Sequence, residues 1–219
     1  MKALQSVILA VGVWLGTVAQ AAETFVLPGT TTLLLLGETS ANDLYDLSRA
    51  VFNYKVDTIV LKGPGGDLEA AFAIADFIIE KKLSTVVPKN TECASACALI
   101  FLAGSKRTLE EGSRLGFHLP FLSRNAPRAD YLELCKALSD QSASSTPHLT
   151  LTIPREDKIW RECLVKVYQM GLRDIRRLNK LVVRDGISSE LMDLIITTMP
   201  EQMAWVDPSE AAELGIVSP

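Results

Sequence analysis

The chain has 219 residues and a formal net charge of −4; 48 % of its residues are hydrophobic and 6 % aromatic. That length lets one domain bury a sizeable core, and a mildly acidic chain without a Lys/Arg cluster argues against nucleic acid as a partner. The only histidines are His118 and His148, with no fitting Asp/Cys cluster, so the sequence offers no persuasive zinc site and no cofactor is expected.

Residues 1–21 read as a secretory signal peptide. Lys2 gives the positive start, Val7 to Leu15 the apolar run, and Ala19-Gln20-Ala21 an A-x-A cleavage site. The run breaks at Gly16-Thr17, short of the ~20 residues a bilayer span needs. Cleavage after Ala21 would leave 198 residues and a net charge of −5, because Lys2 is the only charged residue removed. No long apolar run follows, so no stable membrane span is expected after cleavage.

The remaining pattern predicts a single domain over 22–219. Thr31 to Leu36 reads as a buried strand, and Asn42 to Phe52 as a helix with Leu44, Leu47, Val51 and Phe52 on one face and Ser40 or Asn42 as N-cap. Thr58 to Leu61 is a second strand ending at the turn Gly63-Pro64-Gly65-Gly66. Leu68 to Lys82 is a strong helix, Leu83 to Val87 a strand, and Ala96 to Ala103 an apolar helix. Short strands follow near Arg107 to Leu109 and Leu115 to His118. This alternation predicts an α/β domain with a mostly parallel sheet flanked by helices. The second half is mostly helical, at Arg128–Ser139, Glu156–Met170, Asp174–Val183 and Ser188–Thr198, with a Ser/Thr/Pro-rich insertion at 140–154.

Four cysteines in an exported chain suggest disulfides. Of three connectivities, local geometry favours Cys93–Cys97 with Cys135–Cys163, although buried free thiols at Cys93 and Cys97 stay open as an alternative.

Cys93-Ala94-Ser95-Ala96-Cys97 is a small-residue turn that presents one serine, and His118 follows 23 positions later. Serine needs a neighbouring base to take its proton. His118 ends a strand and can turn towards Ser95, whereas His148 lies in the polar loop and is expected to be exposed. Gly65 and Gly66 stand between a strand and a helix, where bare N–H groups can converge; the N–H of Ala96 opens the next helix. The plain alternatives are a tight turn for the glycines and a helix N-cap for Ser95.

Together these segments resemble the Clp protease proteolytic subunits of the ClpP/crotonase superfamily, and more narrowly an exported, periplasmic ClpP-like branch. The resemblance runs from about Val56 to the C-terminus and includes Gly63-Pro64-Gly65-Gly66, the turn around Ser95, Gly116-Phe117-His118 and the closing Ser209-Glu210-Ala211-Ala212-Glu213-Leu214-Gly215-Ile216-Val217. It implies a ClpP/crotonase-like fold, Ser95 as nucleophile, His118 as general base, and the N–H groups of Gly66 and Ala96 as an oxyanion hole. Gly65, Asp67 and Phe121 would border a bound peptide or unfolded polypeptide, although the apolar pair Phe121-Leu122 fits a place in the core equally well. The family's orienting aspartate falls here on Met199; Asp193, Glu201 and Asp67 are nearby carboxylates that do not occupy the position.

The expected activity is therefore that of an exported serine peptidase, periplasmic or secreted, working through an acyl-enzyme. An imidazole base would make its activity rise with pH across the imidazole titration, ordinarily near ~6.5. Export removes any ATP-driven unfoldase as partner. A homo-oligomer remains compatible, while the insertion between Cys135 and Cys163 argues against the family's heptamer. The alternatives are a binding or assembly module that kept the fold after losing catalysis, and, further off, a crotonase-type enzyme acting on acyl-CoA.

Overall fold

The computed structural model describes residues 23–119, 155–184 and 186–218. The signal segment 1–21, the helix expected at 128–139, the insertion 140–154 with His148, and the residues Phe121 and Cys135 all lie outside the described residues.

Strand β1 (Glu23–Val26), which the sequence pattern did not announce, pairs antiparallel with β2 (Thr32–Thr39). β2 in turn runs parallel to β3 (Thr58–Gly66), from Thr32 opposite Thr58 to Thr39 opposite Gly66. The register slips between Leu36 and Glu38, at Gly37. A Cβ on Gly63 would stand 2.1 Å from the Gly37 carbonyl oxygen, so these backbones can touch only because residue 63 lacks a side chain. The glycine segment is thus part of β3 and not a tight turn after Leu61. β2 keeps offering ladder partners past the bulge, and the strand continues through Gly65 and Gly66 at φ 109° and 138°.

Helix α1 (Asp43–Tyr54) is entered through the Asp43 carboxylate, which accepts from the Ser40 N–H at 2.8 Å and the Ser40 hydroxyl at 2.9 Å. Asn42 makes no side-chain cap bond. Leu47 is buried and Leu44 and Val51 pack against the core, but Phe52 is 88 % exposed, because five residues beyond Leu47 it has rotated off the buried stripe. Helix α2 (Leu68–Lys81) starts on Asp67, whose carboxylate accepts the Ala70 N–H at 2.7 Å. It buries Ala71, Phe72, Ile74, Ala75 and Ile78 in the hydrophobic core.

Next come β4 (Ser84–Val87), β5 (Glu92–Ala94), α3 (Ala96–Leu102), β6 (Arg107–Leu109) and β7 (Arg114–Phe117). All seven residues of α3 are buried, as expected of a helix apolar on every face. The two helices expected at 156–170 and 174–183 are one, α4 (Arg155–Arg184). Gly171 lies inside it, and its interior cost of about 1 kcal/mol is too small to break a helix anchored in the core by Leu178, Leu181 and Val182. Helix α5 (Ser189–Thr197) is capped by Ser188, and β8 (Ala204–Val206) leads to α6 (Pro208–Glu213), which opens with an Asp207/Glu210 capping box.

The sheet branches at β3. Along Thr58 to Val60 the neighbour opposite β2 is β4, which pairs on with β6; at Gly63 that neighbour becomes β5, followed by β7 and β8. Among the described strand pairs only β1–β2 and β7–β8 are antiparallel. Because β3, β5 and β7 run the same way, their C-terminal ends meet on one side of the sheet, the side where parallel sheets hold ligands. Those ends are Gly65-Gly66, Ala94 and Phe117. Among the described residues no helix is long and apolar enough to cross a membrane.

Candidate active site

Ser95 follows β5 directly and precedes α3. Its backbone sits at φ 53°, ψ −122°, a combination that non-glycine residues seldom adopt. The Ser95 N–H donates to the Gly116 carbonyl at 2.8 Å, and the Ser95 carbonyl accepts from the Leu99 N–H at 3.1 Å. The side chain makes no cap bond to the helix. Ser95 thus occupies the N-cap position of α3, but its side chain does no capping: the hydroxyl is directed to His118 instead.

The hydroxyl meets His118. The imidazole Nε2 lies 2.8 Å from Ser95 Oγ, and Nδ1 lies 3.0 Å from the Leu119 carbonyl oxygen. A carbonyl can only accept, so Nδ1 carries the proton. Nε2 is then left with its lone pair towards the serine O–H, the state a general base requires. The Leu119 N–H in turn donates to the Thr198 carbonyl at 2.9 Å, and Thr198 is held at the end of α5 by its own N–H and hydroxyl on the Leu194 carbonyl. The chain beside Met199 thus fixes the histidine through backbone alone.

Gly65 closes the other side. A Cβ there would fall 2.7 Å from Ser95 Cβ, 2.9 Å from the Ala94 oxygen and 3.1 Å from the Ala96 nitrogen. The β3 end is therefore in contact with the elbow and with the first amide of α3. Gly66 packs the other way, onto Thr39 and the Glu38 stem. Among the sequence candidates, Ser95, His118, Gly65 and Ala96 come together at one point, with Gly66 next to them. Asp67 is used as the cap of α2. Asp193 and Glu201 are exposed, and the acceptor at Nδ1 is a peptide carbonyl.

Beneath the serine, Cys93 and Cys97 form a disulfide with Cα atoms 5.2 Å apart. Cys163 is buried on α4, while its expected partner Cys135 lies outside the described residues. Sequence reasoning missed the Leu119 carbonyl, the Thr198 tether and strand β5. A backbone acceptor carries no side-chain signature, and a three-residue strand has too little periodicity to be seen.

A branched, mostly parallel sheet with helices packed on it, and a serine elbow and a histidine at neighbouring strand ends, define a ClpP-like α/β fold. No family model and no curated protein matches the sequence. Among solved structures, a point mutant of ClpP1 from Listeria monocytogenes superposes with a TM-score of 0.53 at 21 % identity, covering 85 % of this chain and 88 % of that one. A mutant of the 1510-N membrane-bound stomatin-specific protease gives a TM-score of 0.52 at 16 % identity, over 84 % of this chain and 75 % of that one. At these identities the likeness is one of fold.

Proposed function

We propose that this chain is an exported serine hydrolase, a ClpP-like peptidase acting on peptides or unfolded polypeptides. The observation that carries the reading is the Ser95 Oγ to His118 Nε2 contact of 2.8 Å at a strained elbow. In the reaction, Ser95 Oγ attacks the scissile carbonyl while its proton passes to Nε2; the imidazolium then protonates the leaving amine. Water, deprotonated by the same nitrogen, hydrolyses the acyl-enzyme and regenerates the serine. The N–H groups of Gly66 and Ala96 would stabilise the oxyanion, each such donor contributing about 3 kcal/mol in related sites. Gly65, Asp67 and Phe121 would border the substrate. Because Leu119 supplies a neutral acceptor, the tautomer is held but the imidazolium gains no carboxylate partner, so acylation should be slower than with a full triad.

The A-x-A signal at residues 19–21 supports export to a periplasm or the outside. The absence of an ATP supply there speaks for substrates that need no unfolding motor, and the fold is compatible with a homo-oligomer. A second reading, a peptide-binding module without turnover, draws on one observation: among the described residues, His118 Nδ1 meets a peptide carbonyl and no carboxylate.

The test is fluorophosphonate labelling of purified residues 22–219. The parent is expected to label at Ser95, Ser95→Ala not at all, and His118→Ala about 10²- to 10⁴-fold more slowly. A folded parent that binds peptides but takes no label would move the assignment to the binding module.

A further inference from the structure

The Cys93–Cys97 disulfide brackets the serine symmetrically, two residues on either side. Cys93 lies in β5, paired with Gly63 of β3 on one flank and Leu115 of β7 on the other. Cys97 lies in the first turn of α3, and both cysteines are buried in the core cluster. The bond therefore joins the strand that delivers Ser95 to the helix that leaves it, on the core side of the elbow.

The residue at the apex, Ser95, combines φ 53° with ψ −122°, away from the left-handed helical conformation (ψ 40°) of Lys55 and Lys82. Such backbone persists only where its surroundings over-determine it. Two of the constraints are hydrogen bonds that the relaxed elbow would exchange for others: Ser95 N–H to Gly116 and Leu99 N–H to Ser95. The third is covalent and cannot be exchanged. Cleaving the bond removes the covalent tether between the β5 end and the α3 start, and the two sulfurs, both buried in the packed core, must move apart. Ser95 lies between the two, so motion there would displace its hydroxyl from Nε2 of His118, 2.8 Å away.

We propose that Cys93 and Cys97 are positioning residues for the nucleophile: their disulfide holds Ser95 against His118, and the serine reaches its full reactivity only once this pair is oxidised. The proposal rests on the serine hydrolase reading for its consequence in turnover, though not for its consequence in geometry. Oxidation is a thiol–disulfide exchange with a small or protein disulfide. One thiolate attacks the donor sulfur and expels a donor thiolate. The second then attacks the mixed disulfide, giving Cys93–Cys97 and two reduced donor thiols, with two electrons passing to the donor. Because both sulfurs are buried, reductant added to the folded protein should act slowly, so the pair behaves as a staple set during folding.

The experiment compares the parent with Cys93→Ala/Cys97→Ala, using fluorophosphonate labelling rates and the 15N signals of the histidine rings. The chain holds only His118 and His148, so His118→Ala assigns the two rings. In the parent, His118 is expected to show one fixed tautomer with Nδ1 protonated. In the double-alanine variant the ring signals should move towards tautomer exchange, and labelling should slow by roughly 10- to 100-fold, as for a reacting group displaced by about an ångström. A folded variant with unchanged labelling and an unchanged His118 signal overturns the proposal. A parent that takes no label, but whose His118 signal still depends on the disulfide, keeps the staple and rejects the hydrolase. If the variant fails to fold, the parent is reduced in denaturant, refolded with reductant, measured, and reoxidised with glutathione disulfide. Recovery of the fixed His118 signal on reoxidation supports the proposal; a reduced, folded protein that already shows that signal refutes it.

Discussion

At the scale of single residues, the site depends on backbone positions that side chains cannot occupy. Ser95 holds an unfavourable conformation that costs on the order of 1–3 kcal/mol. Gly65 presses on it from β3, at φ 109° and with no room for a Cβ beside Ser95 Cβ and the Ala94 carbonyl. The neighbours are backbone and a Cβ, not the flexible end of a long side chain, so they cannot swing aside. Gly65→Ala should therefore be destabilising by about 1–3 kcal/mol, from strained φ and overpacking together. It should also push the elbow away from His118. Urea melts read the first effect and fluorophosphonate labelling the second. A variant of parental stability that labels at the parental rate would mean that β3 and the elbow are not in rigid contact.

At the scale of elements, the helix that begins just after Gly66 is fastened by the longest helix among the described residues, α4. Glu69, in the first turn of α2, accepts from Arg177 at 2.8 Å and Arg173 at 3.3 Å, and the Arg177 guanidinium lies 4.1 Å from the Phe72 ring centre. Pairs this exposed contribute ~0–1 kcal/mol each; burial of Leu178, Leu181 and Val182 does most of the anchoring. Asp174 sits badly in this cluster. Burial pushes its carboxyl pKa up, Arg173 and Arg177 pull it down, and the Glu69 charge adds to the rise, leaving it above the ordinary value. Its Oδ1 is buried without a hydrogen bond, 3.7 Å from Arg173 Nε. The folded state thus holds this proton more tightly than the unfolded chain does. Stability contributed here is full below the ordinary carboxylate range and is lost as pH rises through the raised folded pKa. Asp174→Asn should accordingly stabilise the protein at pH 7 by up to about 1 kcal/mol, with the gain disappearing about a pH unit below the ordinary carboxylate pKa of ~3.9, where the parent aspartate is protonated in both states. Denaturant midpoints of the two proteins at pH 7 and at about pH 3 check this. A variant less stable at pH 7 would show that the arginines outweigh the burial.

At the scale of the whole molecule, what the sequence made legible was what side-chain chemistry and periodicity encode. The βα alternation, the buried α3, the Ser95–His118 pairing and the Cys93–Cys97 disulfide all rest on residue types at short range. The branch at β3, the bulge at Gly37 and strand β5 do not, because a neighbour contributed by another strand leaves no period in its own segment. The same holds for the acceptor at His118 Nδ1, since any residue could supply that carbonyl. Phe52 and the break expected between Met170 and Asp174 differ from the structure where the core decides over local pattern: the first lies off the buried stripe, and the second lies inside a helix that packing sustains.

The molecule-wide inference is that its parts share one compartment. The proposed leader would carry the chain out of the reducing cytosol, and the disulfide under Ser95 would form after that transfer. A chain made with its own leader in a bacterial host should therefore be recovered from the cell envelope or the medium. It should start at Ala22 and bear no alkylatable thiol, with a mass about 4 Da below that of the reduced chain if Cys135 and Cys163 are also joined. Residues 22–219 made without the leader in a reducing cytosol should instead carry free thiols at Cys93 and Cys97 and take fluorophosphonate slowly until oxidised. Intact mass with and without alkylation, on both preparations, tests export and oxidation separately. An unprocessed chain retained in the cytosol would remove export. An exported chain with free thiols at 93 and 97 would remove the link between compartment and nucleophile.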